Sequence, residues 1–168
     1  MTAPISPAEF EAIRAGFHAD PARSQSLRAE AYVDPRWFAV EREAIFARTW
    51  RWVCHVEKLR EPGSFVTAEI AGRPVCVLRD REGVLRAFYN VCKHRAHHLL
   101  SGEGRATRIM CPYHAWTYDL TGRLVRAPHT ESLTDFDPEA IRLDAVQVEA
   151  FCGFAYVTLD PEAAPLAE

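Results

Sequence analysis

The chain has 168 residues, 48% of them hydrophobic and 26% charged, which is the composition of an ordinary globular protein and not of a disordered one. The 20 basic and 23 acidic residues give a formal net charge of −3, so the basic excess typical of nucleic-acid binding is missing. The sequence has no apolar run long enough to cross a membrane, and its first residues do not form a secretory signal. We therefore expect a cytoplasmic protein with no nucleic-acid and no membrane partner.

Two helices are predicted near the start of the chain. Ser6 is a helix cap, with Glu9 at the position that completes a capping box. Asp34 can cap a second helix, with Pro35 at its first position and apolar residues following at helical intervals. We expect residues 1–48 to form an N-terminal helical arm.

From residue 49 the pattern changes to short runs of β-forming residues separated by turn signals. The predicted strand runs cover residues 52–56, 64–70, 73–80, 84–91, 107–111, 116–127 and 145–160. The sixth run is bent into a hairpin at 119–122, and the last is expected to close the sheet. This spacing predicts an antiparallel β meander or barrel over residues 49–160, followed by a short C-terminal tail over 161–168.

The five cysteines are an odd number spread along the chain, so metal-bound or buried thiols are expected instead of disulfides. Cys54, Cys76 and Cys152 lie in apolar strand patterns, which predicts buried and unreactive thiols. The other two cysteines belong to a motif in the middle of the chain.

Cysteine and histidine alternate in that motif. Cys92 and His94 form one pair, and Cys111 and His114 form a second pair after the sixteen residues 95–110. Each pair follows a predicted strand, so two loops at one end of a β-sheet are expected to bring four ligands together. A 2Fe–2S cluster needs only two protein ligands on each iron, and a Rieske centre uses two cysteines and two histidines.

Three interpretations of this motif are open from the residues alone. They are a Rieske 2Fe–2S centre, a structural zinc site built from the same residue types, and four unrelated loop side chains. Zinc sites usually group like ligands, as in a C-x2-C pair followed by two histidines, whereas cysteine and histidine alternate here. The alternation favours the Rieske centre.

The segments NVCKHRAHHLLSGEG and MCPYHAWTYDLTGRLVRAP resemble the cluster-binding region of the large subunit of Rieske non-heme iron oxygenases. The resemblance extends over about residues 35–160. It implies a mainly β fold, a Rieske-type antiparallel β barrel or sandwich with two cluster-binding loops at its tip. It also implies that Cys92 and Cys111 bind one iron, while His94 and His114 bind the other.

Two departures from the family pattern point to one branch of that family. Most members have glycine at the positions of Ala96 and Ala115. These alanines, together with His97 and the segment LLSGEG, resemble the branch that acts on quaternary ammonium compounds such as carnitine and glycine betaine. The resemblance implies a substrate class and not a particular substrate.

The residues around the motif predict a low-potential cluster. Respiratory-chain Rieske proteins have a disulfide across the cluster and a serine beside it, and this chain has His97, Tyr113 and Trp116 at those positions. Fewer hydrogen bonds to sulfur leave the reduced cluster less stabilised, which lowers its potential. Tyr118 is expected to donate to a cysteine sulfur and moderate the effect, and Arg95 to bias the local charge.

Oxygen activation in this family takes place at a mononuclear Fe(II) held by two histidines and one carboxylate. Outside the motif loops only His18, His55 and His129 remain, and no two of them are close in sequence. We therefore expect this iron in a partner or in a missing domain. Alone, the chain is expected to transfer electrons without hydroxylating a substrate.

Two functions are compatible with this assignment. The chain is either the Rieske component of a non-heme iron oxygenase of the aromatic-ring-hydroxylating type, or a free-standing Rieske ferredoxin. The helical arm favours the oxygenase. The resemblance then implies an NAD(P)H-dependent flavin and iron–sulfur reductase as electron donor. It also implies a trimer, in which His114 passes the electron towards the catalytic iron of a neighbouring subunit.

Overall fold

The computed structural model describes residues 4–130 and 132–167, and its contacts divide the chain into two units, Met1–Phe46 and Ala47–Glu168. The first unit is helical, as predicted. Its helices are α1 (Pro7–Arg14), α2 (Glu30–Val33) and α3 (Pro35–Glu41), with a 3-10 turn at Pro21–Arg23 and a π-helical turn at Arg42–Phe46. Among the described residues, no helix has the length and apolar character that crossing a membrane requires.

Both predicted caps are present in this unit. The N–H of Glu9 donates to the Ser6 hydroxyl at 3.3 Å, and the Glu9 carboxylate accepts from the N–H of Ser6 at 2.9 Å, which completes the capping box. Asp34 accepts from the N–H of Arg36 at 2.9 Å at the start of α3. The Arg36 guanidinium also binds the carboxylates of Asp34 and Glu9, at 2.7 and 2.8 Å, and so joins α3 to α1.

Ten antiparallel strands occupy the described part of the second unit. They are β1 (Arg51–His55), β2 (Ser64–Ile70), β3 (Arg73–Arg79), β4 (Leu85–Tyr89), β5 (Glu103–Arg105), β6 (Ile109–Met110), β7 (Thr117–Tyr118), β8 (Leu124–Arg126), β9 (Ala145–Phe151) and β10 (Phe154–Thr158). Seven form one sheet in the order β1-β10-β9-β4-β3-β2-β5, and β6, β7 and β8 form a small second sheet. The predicted mainly β, antiparallel fold is confirmed.

Strand β3 is buried on both faces and separates two apolar clusters. Val75 and Val77 face one cluster, within the main sheet. Cys76 and Leu78 face the other cluster, which also contains Tyr118 and other residues of the small sheet. A strand buried on both faces has no polar side to its pattern, which explains its nearly continuous apolar sequence. The second cluster is the one that supports the motif.

The segment 145–160 is two strands, so the prediction of a single run there is wrong. Strands β9 and β10 are joined by Cys152 and Gly153, which have φ angles of 48° and 83°. Two-residue hairpin turns require positive φ because only such turns match the twist of the paired strands. Cys152 is therefore exposed, against the prediction of a buried thiol, whereas Cys54 and Cys76 are buried as predicted.

Strand β5 was not predicted, since its residues carry no apolar pattern and all three are exposed. It forms because it pairs with β2, where Phe65 lies opposite Gly104 and Val66 opposite Glu103. A side chain at Gly104 would have its Cβ 3.3 Å from the Phe65 ring. The glycine thus allows the exposed edge strand to lie close to this ring.

Candidate metal centre

The first of the two motif loops, residues 92–97, follows β4 and is closed by its own backbone. The N–H of Cys92 donates to the carbonyl of His97 at 2.9 Å, and the N–H of Ala96 donates to the carbonyl of Cys92 at 2.9 Å. Ala96 has a φ of 52°, in the left-handed region, where the chain reverses. His94 lies within this turn and is exposed to solvent.

The second loop, residues 111–116, connects β6 to β7 and repeats this construction. The N–H of Cys111 donates to the carbonyl of Trp116 at 2.8 Å, and the N–H of Ala115 donates to the carbonyl of Cys111 at 3.0 Å. Ala115 has a φ of 56°. The two loops therefore have equivalent backbones, with a cysteine at the start of each and a histidine two or three residues later.

The cysteines of both loops are buried. Cys92 is 2% exposed and Cys111 is 3% exposed, and both belong to the apolar cluster that contains Trp116 and Tyr118. All five cysteines of the chain are free thiols. Thiolate sulfur is a ligand for soft metal ions, and burial shields both of these sulfur atoms from water.

Tyr118 forms the link between the first cysteine and the small sheet. Its hydroxyl oxygen lies 3.3 Å from the Sγ of Cys92 and accepts the N–H of Lys93 at 3.0 Å. Burial raises the pKa of Tyr118 far above its ordinary value, so the hydroxyl keeps its proton. A thiolate at Cys92 can only accept, and the tyrosine would then donate to sulfur, which is the contact expected from the sequence.

The two histidines lie side by side on the outer part of the loops. The ring centres of His94 and His114 are 4.7 Å apart, and the rings meet edge to face at 70°. The ring of His94 is stacked on the indole of Trp116, with centres 4.9 Å apart and planes within 10°. Trp116 in turn packs against Phe136. The stacking fixes the plane of an imidazole that is otherwise open to solvent.

The Nδ1 atom of His114 is buried and has no hydrogen-bond partner. Burial first, and then the neighbouring His94, Arg95 and His97, lower the pKa of His114, which favours the neutral imidazole. Buried polar atoms in proteins are nearly always satisfied, so this nitrogen needs a partner. A metal ion would provide one, since a neutral imidazole nitrogen is a metal ligand.

The described residues contain no group of three or more Cys, His, Asp and Glu side chains placed to hold one metal ion. A Rieske cluster requires no such group, because each of its two irons takes two protein ligands. Two buried thiols, two adjacent imidazoles and an unsatisfied ring nitrogen fit that requirement.

The other predicted residues lie around this centre. Arg95 is exposed in the first loop. Tyr113 is 55% exposed, with its ring centre 3.8 Å from that of His114 and 5.6 Å from that of His97. Trp116 is buried. The structure thus places the predicted surroundings of the motif at the two loops or directly beneath them.

Sequence reasoning did not identify Asn90, a buried residue at the base of the first loop whose side chain binds the backbone of Leu100 twice. It also did not identify the ion pair of Lys93 with Asp144, at 2.6 Å. Two features of the sequence could have drawn attention to Asn90. It is the only asparagine in the sequence, and it lies two residues before Cys92.

An antiparallel sheet with two equivalent loops of this kind defines a small β domain that holds an inorganic centre between loops. The chain belongs to the Rieske [2Fe-2S] domain family, because the model of that family matches residues 49–137, more than half of the sequence. Of the alternatives that the spacing left open, the family supports a 2Fe–2S cluster and not zinc.

Curated relatives agree with the resemblance seen in the loops. The carnitine monooxygenase oxygenase subunit of Escherichia coli K12 is 42% identical over 148 residues, which cover 88% of this chain and 40% of the relative. The glycine betaine monooxygenase oxygenase subunit of Pseudomonas aeruginosa UCBPP-PA14 is 38% identical over 137 residues, 81% of this chain and 32% of the relative. The chain therefore spans about 40% or less of the length of these relatives.

A solved structure shows the same similarity. The quaternary ammonium Rieske monooxygenase in complex with γ-butyrobetaine superposes with a TM-score of 0.83 at 38% identity, covering 88% of this chain and 43% of that one. The similarity to the carnitine and glycine betaine branch is confirmed.

Proposed function

We propose that Cys92 and Cys111 bind one iron of a Rieske 2Fe–2S cluster and that His94 and His114 bind the other. The observation that carries this proposal is the buried, unpaired Nδ1 of His114 beside the exposed His94, in loops that each begin with a buried thiol. When bound, such a cluster takes up and releases one electron at a time.

The residues of the chain prepare this site in three ways. Burial of the two cysteines excludes water from the sulfur atoms, and the neutral form of His114 leaves its ring nitrogen free to bind. The hydroxyl of Tyr118 is held next to the Sγ of Cys92, where it supplies a hydrogen bond to a charged sulfur. Trp116 fixes the plane of His94.

The chain acts as the Rieske component of an oxygenase. The alignment with the carnitine monooxygenase subunit covers 148 residues, which is longer than the second unit, residues 47–168. The similarity therefore extends into the helical unit. In this proposal the catalytic mononuclear iron belongs to the part of the oxygenase that this chain does not match, since the chain covers 40% of the carnitine monooxygenase subunit. Residues 49–160 form the Rieske domain in this proposal, with 1–48 as its arm and 161–168 as its tail.

The relatives also suggest the partners. Their names support oxidation of a quaternary ammonium substrate by the complete oxygenase. In this proposal an NAD(P)H-dependent reductase supplies the electron, and His114 passes it to the catalytic iron of a neighbouring subunit in a trimer. The protein is proposed to be cytoplasmic, because free thiols are typical of that reducing compartment.

The ligand set is tested by replacing a proposed histidine ligand and, as a control, a nearby histidine that is not a proposed ligand. The purified chain should be brown, with about two irons and two acid-labile sulfides per chain. His114→Ala should abolish the EPR spectrum of a cluster with mixed cysteine and histidine ligands. His98→Ala, which removes an exposed imidazole of the first loop region, should leave that spectrum unchanged. A fully formed mixed-ligand cluster in His114→Ala would overturn the assignment.

The oxygenase role is tested by oxygen uptake. The reduced chain alone should show no uptake dependent on carnitine, γ-butyrobetaine or glycine betaine. Uptake should begin when a catalytic iron domain of the same family is supplied together with a reductase and NADH. Substrate-dependent uptake by the chain alone would contradict the placement of the catalytic iron.

A further inference from the structure

The two motif loops differ in the backbone pairing of the segments that flank them. Below the second loop, the backbone continues as a regular ladder, with Met110 opposite Thr117 and Ile109 opposite Tyr118. Below the first loop, the backbone makes one isolated bridge, Val91 opposite His98. The next residue on one side of that bridge is Asn90.

Next to this bridge, the Asn90 side chain makes the hydrogen bonds that a backbone peptide group would make in a regular ladder. Its Nδ2 donates to the carbonyl of Leu100 at 2.8 Å, and its Oδ1 accepts the N–H of Leu100 at 2.9 Å. A carboxamide carries one acceptor and an N–H donor like a peptide group, so it can replace a rung of a ladder. Its own N–H donates to the carbonyl of Pro74, which anchors the residue to the main sheet.

Asn90 is buried close to the cysteines of the motif. The Asn90 residue is 3% exposed, so its carboxamide has little access to water and is satisfied by its two bonds to the half-buried Leu100. Leu99, next to that peptide, is buried in the cluster that contains Cys92 and Cys111. Below the backbone contacts that close the first loop, the two chain segments are thus held together by the Asn90 side chain and anchored to strand β3.

We infer that Asn90 is a positioning residue for the metal centre. Its side chain closes the base of the first loop and so fixes Cys92 and His94 relative to the ligands of the second loop. This inference rests on the proposed ligand set. It assigns to Asn90 a role in cluster geometry and retention, without direct contact to metal.

Substitutions at Asn90 separate its two bonds. Asn90→Asp keeps the shape and the acceptor for the N–H of Leu100 but places a carboxylate oxygen against the carbonyl. Asn90→Ala removes both bonds. Thr158→Val is the matched control, because Thr158 is a fully buried polar residue of β10, outside both loops, whose hydroxyl accepts the N–H of Asp160.

The experiment uses the cluster-bound chain. Loss of iron to a chelator should be roughly tenfold faster in both Asn90 variants, because the partly buried peptide group of Leu100 loses one or both of its partners. The EPR g-values should shift in both variants, since the sulfur and nitrogen ligands change their relative placement. Thr158→Val should keep the wild-type g-values, even where its thermal stability falls.

Hydrogen exchange in the wild-type chain keeps the inference testable if a variant fails to fold. The amide of Leu100 should exchange about as slowly as the amides of Cys92 and Cys111, and far more slowly than that of Arg95 at the loop tip. In Asn90→Ala, which removes the acceptor of the Leu100 N–H, exchange should accelerate at Leu100 while the amide of Cys111 in the second loop is unaffected.

The outcomes distinguish this inference from the proposed function. Wild-type g-values and iron retention in the Asn90 variants, or fast exchange of Leu100 in the wild type, would overturn the positioning role and leave the ligand set intact. A wild-type chain without a mixed-ligand 2Fe–2S spectrum would instead overturn the proposed function.

Discussion

Ala96 and Ala115 occupy the same place in the two loops of the metal centre. Each has a left-handed backbone, with φ of 52° and 56°, and each donates its N–H to the carbonyl of the cysteine four residues earlier. Left-handed residues cost free energy when they carry a Cβ, and glycine avoids this cost. The equivalent geometry means that this chain has the same backbone strain, at an alanine, in both loops.

Glycine at these positions should stabilise the protein. Relief of the left-handed strain of about 1–2 kcal/mol is partly offset by the greater freedom of glycine in the unfolded chain, so Ala96→Gly and Ala115→Gly should each add about 0.5–1 kcal/mol. Thermal unfolding of the cluster-bound chain, followed by circular dichroism, measures this. Ala87→Gly, at a buried position in β4, should destabilise by about 1 kcal/mol or more. Equal destabilisation at all three sites would contradict the strain argument.

Removal of the Tyr118 hydroxyl should lower the reduction potential. Tyr118→Phe takes away the hydrogen bond to the Sγ of Cys92, 3.3 Å away, and the acceptor of the Lys93 N–H. The reduced, more negative cluster loses more stabilisation than the oxidised one, so the potential should fall by on the order of 50 mV, about tenfold in the reduction equilibrium. A redox titration followed by EPR measures the change. Tyr113→Phe, which removes a solvent-exposed hydroxyl of the second loop, should change the potential much less.

The main strands and the two motif loops were predictable because their signals are local. Runs of apolar and β-branched residues and the turn at Ala71 and Gly72 mark β2 and β3 within one residue of their observed ends. The repeated spacing of the motif corresponds to two loops with equivalent backbones, each with a cysteine at its start and a histidine two or three residues later. The sequence therefore predicted the sheet and the two loops.

The features that were missed depend on tertiary contacts. Strand β5 forms through pairing with β2, and its own residues carry no strand pattern. Asn90 acts through Leu100, ten residues later, and no local pattern links the two. The hairpin at Cys152 and Gly153 had a local signal, the glycine, but cysteine is an unusual residue for a left-handed position, so the apolar run was interpreted as continuous.

Alkylation should distinguish the cysteines by burial. Cys152 is exposed in its hairpin turn, whereas burial raises the pKa of the Cys76 thiol to about 12 and also raises the pKa of Cys54. Since the thiolate is the reactive species, iodoacetamide at pH 8 should modify Cys152 at least about tenfold faster than Cys76. Peptide mass spectrometry of the folded, cluster-bound chain measures the rates.

Two controls make the labelling informative. Cys152→Ser should remove the fast-labelled peptide and leave the others unchanged. Cys92 and Cys111, which are 2% and 3% exposed, should be labelled as slowly as Cys76 while the chain stays folded. Early labelling of Cys76 in the folded chain would show that its burial is wrong.

The buried Asp80 should make stability depend on acid pH. Its side chain is fully buried and accepts the N–H of Val84 at 2.8 Å and the Nε of Arg86 at 2.6 Å. Burial alone would raise the pKa of Asp80, but these hydrogen bonds outweigh it and hold the pKa below the ordinary value. A depressed pKa in the folded state means that the stabilisation is complete above the unfolded pKa of about 3.9 and is lost as the pH falls through the folded pKa.

Asp80→Asn tests this argument. At pH 7 the variant keeps the shape but leaves Arg86 without its carboxylate, so the free energy of unfolding should fall by about 1–3 kcal/mol. The difference between wild type and variant should shrink as the pH is lowered below about 4, because the wild-type carboxylate becomes protonated. Denaturant unfolding at several pH values measures the difference, in which acid effects shared by both proteins cancel.

Glu82→Gln is the control, because Glu82 is an exposed acid in the same turn. It should change stability by less than about 0.5 kcal/mol. A difference for Asp80→Asn that stays constant from pH 7 to pH 3 would show that the charge of Asp80 does not contribute to stability.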